Sequence, residues 1–118
     1  MMRPPSWQWG IFLADLNPNR GAEQAGRRPV LVVSRESFNQ VMPVVTALPL
    51  TSHKRGRRIY PHEVLLQKGQ AGLPRDSVVL AHQVRTIDKA RLRSSYGTIV
   101  DRVMRGHIQQ ALRVHLDL

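Results

Sequence analysis

Pro29-Val30-Leu31-Val32-Val33-Ser34 is the stretch that decides the architecture. Four consecutive apolar residues, three of them β-branched, read as a buried strand entered through a proline that need not donate a ladder hydrogen bond. Outward from it the same kind of segment recurs. Trp9–Leu16 reads as a strand ending at the turn signal Asn17-Pro18-Asn19, and Val44–Leu50 as another. His62–Leu66 and Ser77–Ala81 follow, separated by the Gly/Pro loop 69–74; Gln83–Ile87 continues the sheet and Tyr96–Ile99 adds a last strand. Glu36–Gln40 has room only for a short helical turn. Strands spaced by roughly ten residues and closed by a helix imply a small β-barrel or curled sheet. The expectation is one compact α+β domain over residues 1–118.

The closing helix is legible from its period. Val103, Met104, Ile108, Ala111, Leu112 and Leu116 recur at three- and four-residue steps and make one apolar stripe. Its start offers two caps, Asp101 alone or a box of Thr98 with Asp101. Arg102, Arg105 and Arg113 lie off the stripe and are expected to be solvated.

Composition narrows the function. The 118 residues carry 18 Lys+Arg against 8 Asp+Glu, a formal net charge of +10, and 15 of the basic residues are arginine. The partner is therefore something acidic, either nucleic acid or an acidic protein. No cysteine is present, which excludes disulfides, thiolate metal sites and a cysteine nucleophile, and fits a reducing cytoplasm. The apolar runs are too short to span a bilayer, and Met1–Ala14 lacks the apolar core and cleavage site of a signal peptide. Charge is densest at Lys54-Arg55-Gly56-Arg57-Arg58, a solvated loop by default and a salt-sensitive, sequence-blind phosphate contact otherwise.

Three places carry candidate chemistry. In Gly21-Ala22-Glu23-Gln24-Ala25-Gly26-Arg27-Arg28 two glycines bracket a carboxylate and an amide, and the arginines lead into the buried strand. A rigid strand fixes Arg28 for binding; an ordinary surface ion pair is the equal alternative. Thr51 and Ser52 follow an apolar strand, where hydroxyls either donate to phosphate oxygens or close a turn on their own backbone. Histidines stand at 53, 62, 82, 107 and 115 without metal-site spacing, so no metal ligands are expected. His82, at a strand end beside Gln83, is the best placed as a proton carrier. Nucleotide-binding loops and hydrolase elbows are absent.

At these residues the sequence resembles the MazF/PemK family of toxin endoribonucleases. The resemblance rests on Gly21-x-Glu23-Gln24-x-Gly26-x-Arg28-Pro29-Val30, Ser37-Phe38-Asn39, Pro49-Leu50-Thr51-Ser52, Asp76–Leu80 and Gln83–Asp88, in that order along nearly the whole chain. It implies an SH3-like β-barrel of the CcdB/MazF kind with a C-terminal helix. It also implies a homodimer, cleavage of single-stranded RNA without metal or cofactor, and inhibition by an acidic MazE-type antitoxin. Carried over by residue, Arg28 matches the catalytic arginine, Thr51 its hydroxyl partner, and Glu23 a carboxylate tied to activity in some members.

Such cleavage uses the neighbouring 2′-OH as nucleophile and leaves a 2′,3′-cyclic phosphate and a free 5′-OH. Arg28, permanently charged and able to bind two oxygens, suits stabilisation of the phosphorane better than proton transfer. The proton carrier is then Glu23 or His82. His82 departs from the pattern, because many relatives carry an acidic residue just before the glutamine that matches Gln83. Arg20, Arg27, Phe38, Ser52, Lys54, Arg55 and Gln83 are the candidate RNA contacts. Two other functions fit the charge or the barrel: a CcdB-like gyrase poison, and a basic nucleic-acid-binding domain without catalysis. The chain end Leu116-Asp117-Leu118 lacks the terminal aromatic that the gyrase poisons use.

Overall fold

A computed structural model describes residues 6–17, 21 and 26–118. Seven strands alternate with short turns: β1 (Gly10–Asp15), β2 (Arg27–Val32), β3 (Val44–Ser52), β4 (Glu63–Leu66), β5 (Ser77–Leu80), β6 (Arg85–Asp88) and β7 (Leu92–Thr98). One short helix, α1 (Glu36–Val41), joins β2 to β3, and a longer one, α2 (Arg102–Leu116), closes the chain. The order across the sheet is β4-β5-β3-β2-β1-β7, with β6 also on β3, and every pair is antiparallel.

The centre of this sheet is buried on both faces, which is why its strands read as unbroken apolar runs. Along β1, β2 and β3 alternate residues enter two cores. Ile11, Leu31, Leu48 and Leu50 join Val64, Leu66, Val79, Ile108 and Ala111 on one face. Phe12, Ala14, Val30, Val32, Val45 and Ala47 join Trp7, Ile87 and Leu92 on the other. The period of two thus separates two cores here, rather than core from solvent.

β3 is shared among three partners. Val44–Ala47 pair with β6, Ala47–Pro49 with β2, and Leu50–Ser52 with β5. Pro49 stands at the handover, the last residue opposite β2, where a missing N–H is tolerated. Beyond it β3 turns away. The first residues of β2, Arg27–Pro29, then have β1 as their paired neighbour, through Asp15, Ala14 and Leu13, while pairing with β3 begins at Val30. The wedge between β2 and the end of β3 is the opening in which the candidate site lies.

The sheet curls until its ends meet. The turn Gln70–Gly72 after β4 lies against β7 so closely that a Cβ on Gly72 would sit 2.1 Å from the Tyr96 carbonyl oxygen. Gly72 also has φ of +74°, so glycine is required there twice over.

The helix and several boundaries refine the sequence reading. Asp101 Oδ1 accepts from Val103 N–H at 2.9 Å, so Asp101 alone is the N-cap of α2. Ile108 and Ala111 are buried and Met104 and Leu112 half-buried, but Val103 is 65% exposed and Leu116 48%. Arg105 is not simply solvated: its guanidinium lies 5.3 Å from the Trp9 ring centroid and its Nε–H donates to Ile99 O at 2.7 Å. Ala81–Gln83 form a 3-10 turn, so the sixth strand begins at Arg85, two residues later than the pattern predicts. β7 starts at Leu92, four residues earlier. Among the described residues no helix is long and apolar enough to cross a membrane.

Candidate active site

Arg27 and Arg28 sit at the start of β2, and the divergence of β3 leaves open space beside them. Thr51 and Ser52 end β3 opposite Val78 and Ser77 of β5, which brings Arg75 to the same place. The result is a cavity of about 240 Å³ lined by Arg27, Arg28 and Arg75, by the hydroxyl residues Thr51, Ser52 and Ser77, and by Tyr96. Its floor is apolar, from Leu13, Pro29, Leu50 and Leu73. Three arginines and four hydroxyl-bearing residues, Tyr96 among them, line one small space with no carboxylate among the described lining residues. Such a lining attracts an oxyanion and offers it donors from several directions.

The lip carrying Arg75 is held by backbone and side-chain bonds. His53 N–H donates to Asp76 O at 2.9 Å, Lys68 N–H to Asp76 Oδ1 at 2.7 Å, and Ser77 Oγ–H to Arg75 O at 3.0 Å. The Gly72–Tyr96 contact supports the same lip from below. Arg75 and Tyr96 carried no local sequence signal; register alone delivers them.

Thr51 also lines a second, adjoining groove of about 390 Å³. Its walls are Arg57, Tyr60, His62, Glu63, Leu80, His82 and Gln83. Arg57 grips the buried Glu63 carboxylate with both arms, Nη1 to Oε1 at 3.0 Å and Nη2 to Oε2 at 2.8 Å, and Tyr60 N–H adds a third bond. The hydrogen bond from Arg57 outweighs burial and holds the Glu63 carboxyl below its ordinary pKa; Glu63 in turn raises Arg57. Half of the dense basic run is thus occupied in structure: Arg57 is paired, and the Arg58 guanidinium lies 5.2 Å from the exposed Tyr60 ring.

The histidines that spacing left apart meet in this groove. The His62 and His82 rings stand edge to face, centroids 4.6 Å apart, with His115 of α2 6.4 Å beyond His82. Burial lowers the pKa of His82, and its Coulombic coupling to the neighbouring His62 lowers it further. His82 N and its neighbours are set by the 3-10 turn, not by a strand end.

Of the residues singled out from sequence, Arg28, Arg27, Thr51 and Ser52 converge on the arginine cavity, while Thr51, His82 and Gln83 converge on the second groove. Phe38, Lys54 and Arg55 line neither. Phe38 belongs to α1 and Lys54 and Arg55 to the exposed loop after β3. Arg20 and Glu23 lie outside the described residues.

Comparison with known proteins gives this arrangement a context. Residues 8–116 match the family model described as PemK-like, MazF-like toxin of type II toxin–antitoxin system. An endoribonuclease MazF of Staphylococcus saprophyticus is 34% identical over 108 residues, spanning 92% of this chain and 88% of that protein. Among solved structures, MazF from Deinococcus radiodurans superposes with a TM-score of 0.78 at 29% identity, covering 94% of this chain and 96% of the other. An endoribonuclease in complex with its cognate antitoxin, from a mycobacterial species, gives 0.76 at 25% identity with 94% of each chain covered.

Proposed function

This chain belongs to the PemK-like, MazF-like toxins of type II toxin–antitoxin systems and is an endoribonuclease; we propose that the arginine cavity holds the scissile phosphate of single-stranded RNA. The observation that carries this is the convergence of Arg27, Arg28 and Arg75 with Thr51, Ser52 and Ser77 on one space. Bases on either side would extend into the adjoining groove past Thr51, toward Gln83.

The chemistry follows from what the groups can do. The 2′-oxygen attacks phosphorus as its proton leaves; the bond from phosphorus to the 5′-oxygen breaks, and that oxygen takes up a proton. The products are a 2′,3′-cyclic phosphate and a 5′-hydroxyl, with no water consumed and no call for a metal. Arg28 binds the non-bridging oxygens as charge grows on the phosphorane, and Thr51 donates to one of them. Arg28 stays charged throughout, so the protons travel elsewhere. His82 in the groove, or Glu23, which lies outside the described residues, carries them.

Substitution separates these roles. Arg28→Lys keeps the charge and loses the fork, so RNA binding persists while cleavage falls by about 10²–10³. Cleavage of a labelled RNA, beside binding under the same salt, measures both. Equal loss of the two would make Arg28 a binding residue only, and wild-type protein inert in EDTA would end the metal-independent route. His82→Ala cleaving at the wild-type rate and position would remove His82 from proton transfer.

The partners follow from the same membership. An acidic MazE-type antitoxin would neutralise a chain of +10 and exclude RNA by competition for the arginine cavity. A homodimer in a cytoplasmic setting completes the reading; sedimentation at low concentration tests the dimer.

A further inference from the structure

We propose that His62, Glu63 and His82 form a binding site for a borderline transition-metal cation, zinc above all, in the groove beside Thr51. Their ligand atoms all lie within 4.8 Å of one another. With Zn–N bonds of about 2.0–2.1 Å, ligand atoms in a tetrahedral site stand roughly 3.4 Å apart. Closing the remaining gap of about 1.4 Å takes only side-chain rotation of two imidazoles that already meet edge to face.

The donor set is suited to the ion. Two imidazoles and one carboxylate favour zinc, nickel and copper over magnesium or calcium, which prefer oxygen alone. Glu63 Oε1 accepts from Arg57 and the Tyr60 N–H, whereas Oε2 accepts from Arg57 Nη2. A carboxylate oxygen has two lone-pair directions, so Oε2 can hold the Arg57 bond and a cation together. Arg57 fixes the carboxylate as an outer-sphere partner does, and its positive charge makes the site weaker than a closed structural one. Three protein ligands leave a coordination position open to the groove.

Register, not spacing, builds this cluster. Glu63 pairs with Leu80 across β4 and β5, and Ala81 N–H donates to His62 O at 3.2 Å. His62 and His82, twenty positions apart in the chain, are thereby diagonal neighbours. A cation bound here takes the lone pair of His82 and narrows the groove, so it inhibits cleavage; that consequence rests on the groove being the RNA site, whereas binding does not.

The test is calorimetric titration of the untagged, full-length chain with zinc chloride in the absence of RNA. One zinc per chain is expected, with affinity reduced at least about tenfold by His62→Ala and by His82→Ala and unchanged by His107→Ala on the exposed face of α2. Magnesium chloride should give no heat and no competition. Melting curves without metal report whether each variant is folded, and His62→Asn and His82→Asn repeat the measurement with polar side chains. Absence of saturable zinc uptake, or an affinity that neither histidine substitution moves, overturns the proposal. Zinc bound as described but without inhibition of RNA cleavage upholds the site and counts instead against the groove as the path of RNA.

Discussion

Gly72→Ala tests whether the closure of the sheet positions the arginine cavity. Two costs are separable there. An alanine at φ of +74° pays a left-handed backbone penalty on the order of 1–2 kcal/mol. Its Cβ would also lie 2.1 Å from the Tyr96 carbonyl oxygen and 2.9 Å from its carbon. Backbone cannot rotate away as a side chain can, so the turn and β7 must part, at a cost of roughly 1–3 kcal/mol. The sum, about 2–5 kcal/mol, is a large share of the 5–15 kcal/mol typical of a domain and lowers the melting temperature by on the order of 10 °C. Gly56→Ala is the control, because Gly56 has φ of +81° with nothing within 4 Å of its Cβ position. It bears the first cost alone. Urea unfolding of both variants measures the difference, and cleavage assayed well below the transition reports whether Arg75 and Tyr96 have moved off the cavity. Equal destabilisation by the two substitutions would refute the contact, and full cleavage by a destabilised Gly72→Ala would refute its link to the site.

Arg75→Gln should weaken RNA binding and reduce the slope of log affinity against log salt by about 0.7, the value for one phosphate contact on a single strand; an unchanged slope would take Arg75 off the phosphate path. Burial alone would raise the Glu36 carboxyl, but bonds from the Gln8 and Trp7 N–H groups and from the Gln40 and Asn39 amides hold it below its ordinary value near 4.5. Its contribution is therefore complete above that value and is lost as pH falls through the lower folded one; denaturation midpoints of wild type and Glu36→Gln should converge toward acid, and a constant gap would contradict the linkage. Asp101→Ala removes the N-cap of α2 and should cost about 1 kcal/mol in urea unfolding, with no cost indicating that water caps the helix as well.

Which of these features could be read from the chain depends on how far apart the cooperating residues lie. Val30–Val32 and Val44–Leu50 announce strands because both faces of the sheet are buried, and local composition is enough. Asp101 is legible because a cap acts over two residues. The 3-10 turn Ala81–Gln83 is not, because the local pattern carries Ser77–Ala81 straight on into Gln83–Ile87. The α2 stripe shows the limit from the other side. Period identifies Val103 and Leu116 as one face with Ile108, yet β4 and the Ala81–Gln83 turn are too short to cover it all, so its ends stay exposed.

The site itself was legible by half. Arg28 and Thr51 stand out as polar residues at the ends of apolar strands, where a rigid scaffold holds them. What completes the proposed phosphate site is Arg75, and what distinguishes the adjoining groove is His62 beside His82. Neither follows from spacing, because each depends on a register: Ser52 opposite Ser77 for the first, Glu63 opposite Leu80 for the second. A slip of one residue in β5 would turn Val78 and Leu80 to the other face and scatter both clusters together. The apolar packing that fixes β5 between its neighbours is therefore also what aligns the arginines with the hydroxyls. Core and site are specified by the same residues, so substitutions at Val78 or Val79 that shift register should abolish cleavage without touching a polar group.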